Sequence, residues 1–395
     1  MRLATTYFIR TGLFSLLIIM SLGAYGQPQI YKAIDTKEFD DAAHHWYDIF
    51  DKENVIMPKK NQPRFNPADI THIADNILLY QKDNGGWPKN YDILAILSPE
   101  QEDSLRGVQR ITTNTTFDNG TSWTHVTYLA QAYTETQIER YKAACIKGLE
   151  FIMAAQYGNG GWPQYFPLEK DYSRFITYND GVFAGIIGVL KKIADNNSSY
   201  SFIDAPLRKK LIAAYKKGIA CILNTQINDT GTPTVWCQQH DEKTLAPAWA
   251  RAFEPPSICN GESADIVLLL MSIKNPDSKI MDAVQNAVAW FEKSQILNTR
   301  IKTIIAPADT SKYRISKTDK IVVEDNTGPP IWTRYYELKT HRPMFCNRDR
   351  TIVYSLAEVK RERRDGYGWY TYAPQKVLDH YKEWLKVNSI TSVLH

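Results

Sequence analysis

The chain has 395 residues with a formal net charge of +4, and 44% of its residues are hydrophobic and 12% aromatic. So mild a charge excludes nucleic acid as the main partner, while the apolar share supports a large core. Five cysteines at wide, irregular spacing (Cys145, Cys221, Cys237, Cys259 and Cys346) make neither a zinc site nor the disulfide framework of a small domain.

At the N-terminus, Arg2 and Arg10 precede the apolar run Leu13–Gly23, and Ala24-Tyr25-Gly26 offers small residues for cleavage. Residues 1–26 therefore read as a secretory signal peptide whose apolar core is too short to span a bilayer. No other run is long enough to span one. The expected mature protein, residues 27–395, is a single monomeric domain, secreted or periplasmic, with no membrane attachment after cleavage.

A short segment then occurs twice. Gln81-Lys82-Asp83-Asn84-Gly85-Gly86-Trp87-Pro88 returns 75 residues later as Gln156-Tyr157-Gly158-Asn159-Gly160-Gly161-Trp162-Pro163. Each copy follows an apolar helical stretch, Ile70–Tyr80 and Cys145–Ala155. Gly-Gly ends a helix because glycine adopts backbone angles that other residues resist, and the proline keeps the helix from resuming. Fainter copies begin at Gln226, after Tyr215–Thr225, and at Gln295, after Ala283–Ser294. A second helix set is announced by Asp118-Asn119-Gly120, Asn179-Asp180-Gly181 and Asn260-Gly261-Glu262-Ser263. These precede Trp123–Tyr133, Val182–Ile193 and Ala264–Ile273. An Asx-Gly start also allows a plainer role for the aspartates, helix capping.

Repeated antiparallel helical hairpins predict an all-α fold, an α/α toroid. In it the long connections 81–118, 156–180, 226–260 and 295–350 share one rim. Connections of that length are uncommon unless they carry function. They hold Arg251, Arg334 and Arg348, flanked by aromatics, which suits a polycarboxylate ligand because guanidinium binds carboxylate bidentately. Asp118 and Asp180 take matching positions in successive repeats, and paired hard oxygen ligands favour calcium or magnesium. Trp87, Trp162, Trp249 and Trp332 offer flat faces for sugar rings, although each is more often a packing residue.

Taken together, Asn84–Pro88, Thr116–Asn119, Asn159–Pro163, Tyr178–Gly181, Leu245–Glu254, Gly261–Asp265 and Arg334…Arg348 resemble the family 10 polysaccharide lyases, which are pectate lyases. The resemblance runs from about Ile70 to Tyr372. It implies an (α/α)3 toroid that cleaves polygalacturonate by β-elimination with Ca2+. Carried over by motif, Arg251 is the base, Asp118 and Asp180 hold the metal, and Arg334, Arg348, Asp180 and Trp162 bind substrate. An arginine base implies an alkaline optimum, since guanidinium is ordinarily always protonated. The competing expectations are an inverting glycoside hydrolase using Asp118 and Asp180 as acid and base, and a non-catalytic carbohydrate-binding protein.

Overall fold

The computed structural model describes residues 31–49 and 54–393; the signal-peptide expectation for residues 1–26 lies outside them. The helices are α1 (Asp40–Asp48), α2 (Ile70–Tyr80), α3 (Pro99–Gly107), α4 (Trp123–Thr136), α5 (Glu139–Ala155), α6 (Val182–Ala194), α7 (Ala205–Thr225), α8 (Asn260–Met271), α9 (Ser278–Lys293), α10 (Arg361–Gly366) and α11 (Ala373–Val393). Within this series α4, α6 and α8 pack side by side, and α5, α7 and α9 form a second row against them. The four apolar stretches that precede the glutamines fall at the ends of α2, α5, α7 and α9, with Ser294 just beyond the last.

A repeated set of side-chain bonds explains that regularity. Each first-set helix leaves its last carbonyls without partners in the helix. Trp87 Nε1 donates to Ile77 O (2.8 Å), Trp162 Nε1 to Ile152 O (2.8 Å), Trp236 Nε1 to Ile222 O (2.7 Å) and Trp332 Nε1 to Phe291 O (2.9 Å). The glutamine that closes the helix reaches its neighbour. Gln81 Nε2 donates to Ala144 O on α5 (2.9 Å), Gln156 Nε2 to Ala214 O on α7 (2.9 Å) and Gln226 Nε2 to Ala283 O on α9 (3.0 Å). Glycine is needed at two of these ends. Gly85 (φ +89°) and Gly160 (φ +96°) lie in the left-handed region, and a Cβ there would come within 2.3 Å of Lys147 O and 2.1 Å of Lys217 O.

The all-α toroid is corrected by the strands. Thr299–Thr310 and Ile315–Glu324 form a long antiparallel hairpin, and Ile258–Cys259, Tyr335–Tyr336, Pro343–Cys346 and Ile352–Val353 form a four-stranded sheet. Ile176–Thr177 pairs with Gln239–His240, and Trp332–Thr333 with Tyr370–Thr371. The class is therefore mixed α and β. The physical reason is backbone satisfaction: long connections crossing a helix end must bond their peptide groups to one another, and short ladders do so. A smaller core of Cys259, Tyr335, Met344, Phe345, Leu356, Val359 and Trp369 sits beneath those strands. All five cysteines are buried, free thiols.

Candidate active site

The connections from the first helix set to the second gather at one end, and the site is built there. The 3₁₀ turns Asp118–Gly120 and Asn179–Gly181 lie against each other. Their register differs by one residue from the sequence expectation. Asn119 (φ 49°) and Asp180 (φ 53°) hold the left-handed position in each turn, so Asp118 corresponds to Asn179 and not to Asp180. The two aspartates still share one site, but by different routes. Neither caps its helix.

Asp118 is buried, with Lys89 Nζ on Oδ2 (2.9 Å) and Gln164 Nε2 on Oδ1 (2.7 Å). Burial works to raise its carboxyl, but Lys89, Gln164 and the more remote Arg251 hold it below its ordinary range. Asp180 accepts a hydrogen bond from Asn179 Nδ2 (2.6 Å). Desolvation by the surrounding protein, then the Asp118 charge, raise its carboxyl, against the pull of Arg334 and Arg251. Asp180 is nevertheless exposed to solvent. It sits on the floor of an open cleft, where the shift counts for less than in a sealed core. The cleft there has a volume of about 280 Å³, walled by Asp180, Glu262, Asp265, Arg334 and Tyr370.

Four guanidinium groups gather on two rings. Arg251, Arg348 and Arg363 lie over Phe253 at 5.1, 4.9 and 4.7 Å, and Arg334 lies over Tyr367 at 4.7 Å. Each arginine also has a carboxylate. Arg251 forms a two-pronged pair with Glu254 (Nε–Oε2 2.9 Å, Nη2–Oε1 2.5 Å), and Glu254 also accepts from Tyr367 Oη at 2.7 Å. Arg334 pairs with Glu262. Glu362 takes Arg348 Nε on one oxygen and Arg363 Nε on the other, both at 3.0 Å. The backbone aims these side chains: Glu254 N bonds Arg251 O (2.8 Å) in a tight turn, and Arg334 N bonds Trp369 O (2.7 Å). Burial opposes the Arg251 charge, but Glu254 outweighs it and holds the guanidinium above its ordinary value. Arg363 goes the other way, lowered first by burial and then by Arg348 and Arg251.

Trp162 is corrected. Its ring is fully buried and its N–H is spent on α5, so it cannot stack on a sugar. Trp87 and Trp332 are likewise buried, whereas Trp249 stays partly exposed beside Arg350. Sequence reasoning missed Lys89, Gln164, Glu254, Glu262, Arg363 and Tyr367. Glu254 and Glu262 stood inside recognisable motifs, but nothing in their spacing marked them as partners of Arg251 and Arg334.

Among the described residues no group of three or more His, Cys, Asp or Glu is spaced to hold a metal ion. Gln164 Oε1 and Asn179 Oδ1, amide oxygens on the residues bonded to each aspartate, are buried and unpartnered. Carboxylate and amide oxygens are the chemistry a hard cation takes, but Asp118 already accepts from Lys89 on one oxygen and Gln164 on the other, so the set falls well short of the 6–8 ligands that calcium takes.

The family model for pectic acid lyases matches residues 81–378. The chain belongs to that family. This pectic acid lyase homologue is similar to a solved family 10 polysaccharide lyase from Cellvibrio cellulosa. The two are 28% identical with a TM-score of 0.66, over 80% of this chain and 92% of the other. A mutant of that enzyme solved in complex with trigalacturonic acid gives the same values. No curated protein matches. As a member of the family, the protein is a lyase acting on polysaccharides, which sets aside the hydrolase and binding-protein expectations.

Proposed function

We propose that the protein cleaves polygalacturonate by calcium-assisted β-elimination at the cleft between Asp118, Asp180, Arg251, Arg334 and Arg348. The observation that carries this reading is the cluster of four arginines on Phe253 and Tyr367, adjoining two aspartates on one rim. A neutral sugar has no use for so many guanidinium groups; a uronate chain brings a carboxylate per residue. The solved relative in complex with trigalacturonic acid supports the substrate class.

In the reaction the C5 proton of a uronate is removed, the bond from C4 to the glycosidic oxygen breaks, and a C4–C5 double bond forms. The departing oxygen takes up a proton. Asp118, Asp180 and the neighbouring amide oxygens would hold calcium, with substrate carboxylates and water completing its shell; when bound, calcium offsets charge developing on the uronate. Arg334 and Arg348 bind substrate carboxylates and stabilise the same charge. Arg251 takes the C5 proton. The Glu254 pair keeps Arg251 protonated in the free protein. Its competence as a base therefore depends on Glu254 charge being shared with Arg334 and with the Tyr367 hydroxyl once the cleft is filled. No helix among the described residues is long and apolar enough to cross a membrane.

The test is incubation with polygalacturonate, with and without a chelator. A lyase gives an unsaturated, ultraviolet-absorbing end, and chelation should abolish it. New reducing ends without that absorbance would overturn the elimination. Arg251→Ala should lower turnover by roughly 10²–10⁴-fold while substrate still binds.

A further inference from the structure

The hairpin Thr299–Glu324 adds little to the core: Ile301, partly buried, packs against the smaller cluster. Its strands are 12 and 10 residues long and mostly exposed on both faces, and Ile305 is 94% exposed. It is nevertheless held firmly against α10. Arg364 grips both oxygens of Asp319 at 2.7 Å, Thr318 Oγ1 donates to Asp365 (2.9 Å), and Arg361 Nε donates to Thr318 O (3.1 Å). Two-thirds of the way along, Ala306-Pro307-Ala308 stand opposite Lys317 alone, since Ile305 pairs with Thr318 and Asp309 with Ser316. Such a bulge bends a ribbon and re-aims what lies beyond it. Beyond it lies a turn ordered by Ser311 Oγ, which accepts from Tyr313 N (3.2 Å) and Arg314 N (3.1 Å). The turn sets the Tyr313 ring against Arg348, whose guanidinium carbon lies 3.9 Å from the ring centroid.

Arg348 is thus flanked by two rings, Tyr313 at 3.9 Å and Phe253 at 4.9 Å. Glu362 takes its Nε. A guanidinium packed on two rings and bonded through Nε keeps its Nη1–Nη2 edge for a ligand. That edge matches a carboxylate. Without Tyr313, the long side chain would regain rotamers it must give up again on binding.

We propose that Tyr313, carried by the hairpin, is a positioning residue that pre-orients Arg348 for a uronate carboxylate. The inference rests on the reading of this site as a polyuronate cleft. It makes the hairpin, which lies between α9 and α10, a determinant of how tightly acidic chains are held.

The experiment compares the wild type, Tyr313→Ala, Tyr313→Phe, Arg348→Ala and the Tyr313→Ala/Arg348→Ala double variant on polygalacturonate, with trigalacturonate binding measured calorimetrically. Tyr313→Ala should raise KM by about 2- to 10-fold, the worth of one cation–π contact, and lower kcat by less than that. Tyr313→Phe should restore the wild-type KM, because the ring and not the hydroxyl does the positioning. In the Arg348→Ala background, removing Tyr313 should add nothing. An unchanged KM in Tyr313→Ala, or losses that simply add in the double variant, would overturn the proposal and leave the lyase reading intact. A wild type that neither cleaves polygalacturonate nor binds trigalacturonate would overturn both.

Discussion

Glu254 is the residue whose removal tests the mechanism most directly. In Glu254→Gln the shape of the turn and the bond to Tyr367 can survive, but the negative charge facing Arg251 is gone. At about 4 Å and an effective dielectric of about 20, that charge is worth about 4 kcal/mol. Arg251 is 48% exposed while Glu254 is 1% exposed, so solvent screening removes much of that. If Arg251 is the base, the rising limb of kcat/KM against pH should move toward neutrality, whatever happens to its height. Stability falls as well. Breaking a fully buried pair costs about 3–5 kcal/mol, and with one partner half-exposed the cost should be about 2 kcal/mol. The signs differ for the two groups. Glu254 is lowered in the fold, so its contribution is present above the ordinary carboxylate range and is lost as pH falls through its lowered value. Arg251 is raised, so its contribution persists until pH climbs past the guanidinium range. The deficit in melting temperature should therefore be constant from neutral to alkaline pH and shrink in acid. Ultraviolet rate profiles and thermal melts at matched pH measure both. A lowered melting temperature with an unmoved limb would show that Arg251 is an electrostatic anchor and that another group takes the proton.

Asp180→Asn should leave folding intact, because Asp180 is on the cleft floor and in no ion pair shorter than 4.0 Å among the described residues, yet it should raise the calcium needed for half-maximal activity severalfold; unchanged calcium dependence would remove Asp180 from the metal site. Gly160→Ala should cost more than about 3 kcal/mol or prevent folding, since its Cβ would meet Lys217 O at 2.1 Å in a left-handed residue. Gly158→Ala, two residues earlier with nothing within 4 Å, should be nearly silent in the same thermal melt.

The helix ends were legible because their chemistry is local. Gln-x-x-Asn-Gly-Gly-Trp-Pro contains its own terminator, so α2 and α5 end where the sequence says. The same segment misled about Trp162: a tryptophan after Gly-Gly looks displayed on a rim, but the turn folds its indole back beneath the helix it follows. The pairing of Asp118 with Asp180 failed by one residue because it matched aspartate to aspartate; Thr116-Phe117-Asp118-Asn119-Gly120 set against Thr177-Tyr178-Asn179-Asp180-Gly181 already aligns Asp118 with Asn179, and the left-handed backbone at Asn119 and Asp180 agrees. The long hairpin escaped notice because both of its faces meet solvent, so its strands lack apolar alternation. Only its richness in Thr, Ile and Val hinted at strand. The carboxylate partners of the arginines come from distant segments, as Arg334 and Glu262 do, and spacing along the chain carries no trace of such pairs.

The Trp and Gln bonds at the helix ends divide the molecule's labour in a way that bears on its history. Each glutamine fixes the spacing between one helix and the next before the chain leaves for the rim. What happens in the connection afterwards does not disturb that spacing. A connection can be long, as the one carrying the hairpin is, while the helical scaffold keeps its pitch. New wall segments can therefore be grafted onto an old frame one at a time, and preference among acidic polysaccharides can drift without refolding the helices. Such drift should collect in the four connections and spare the residues that end the helices.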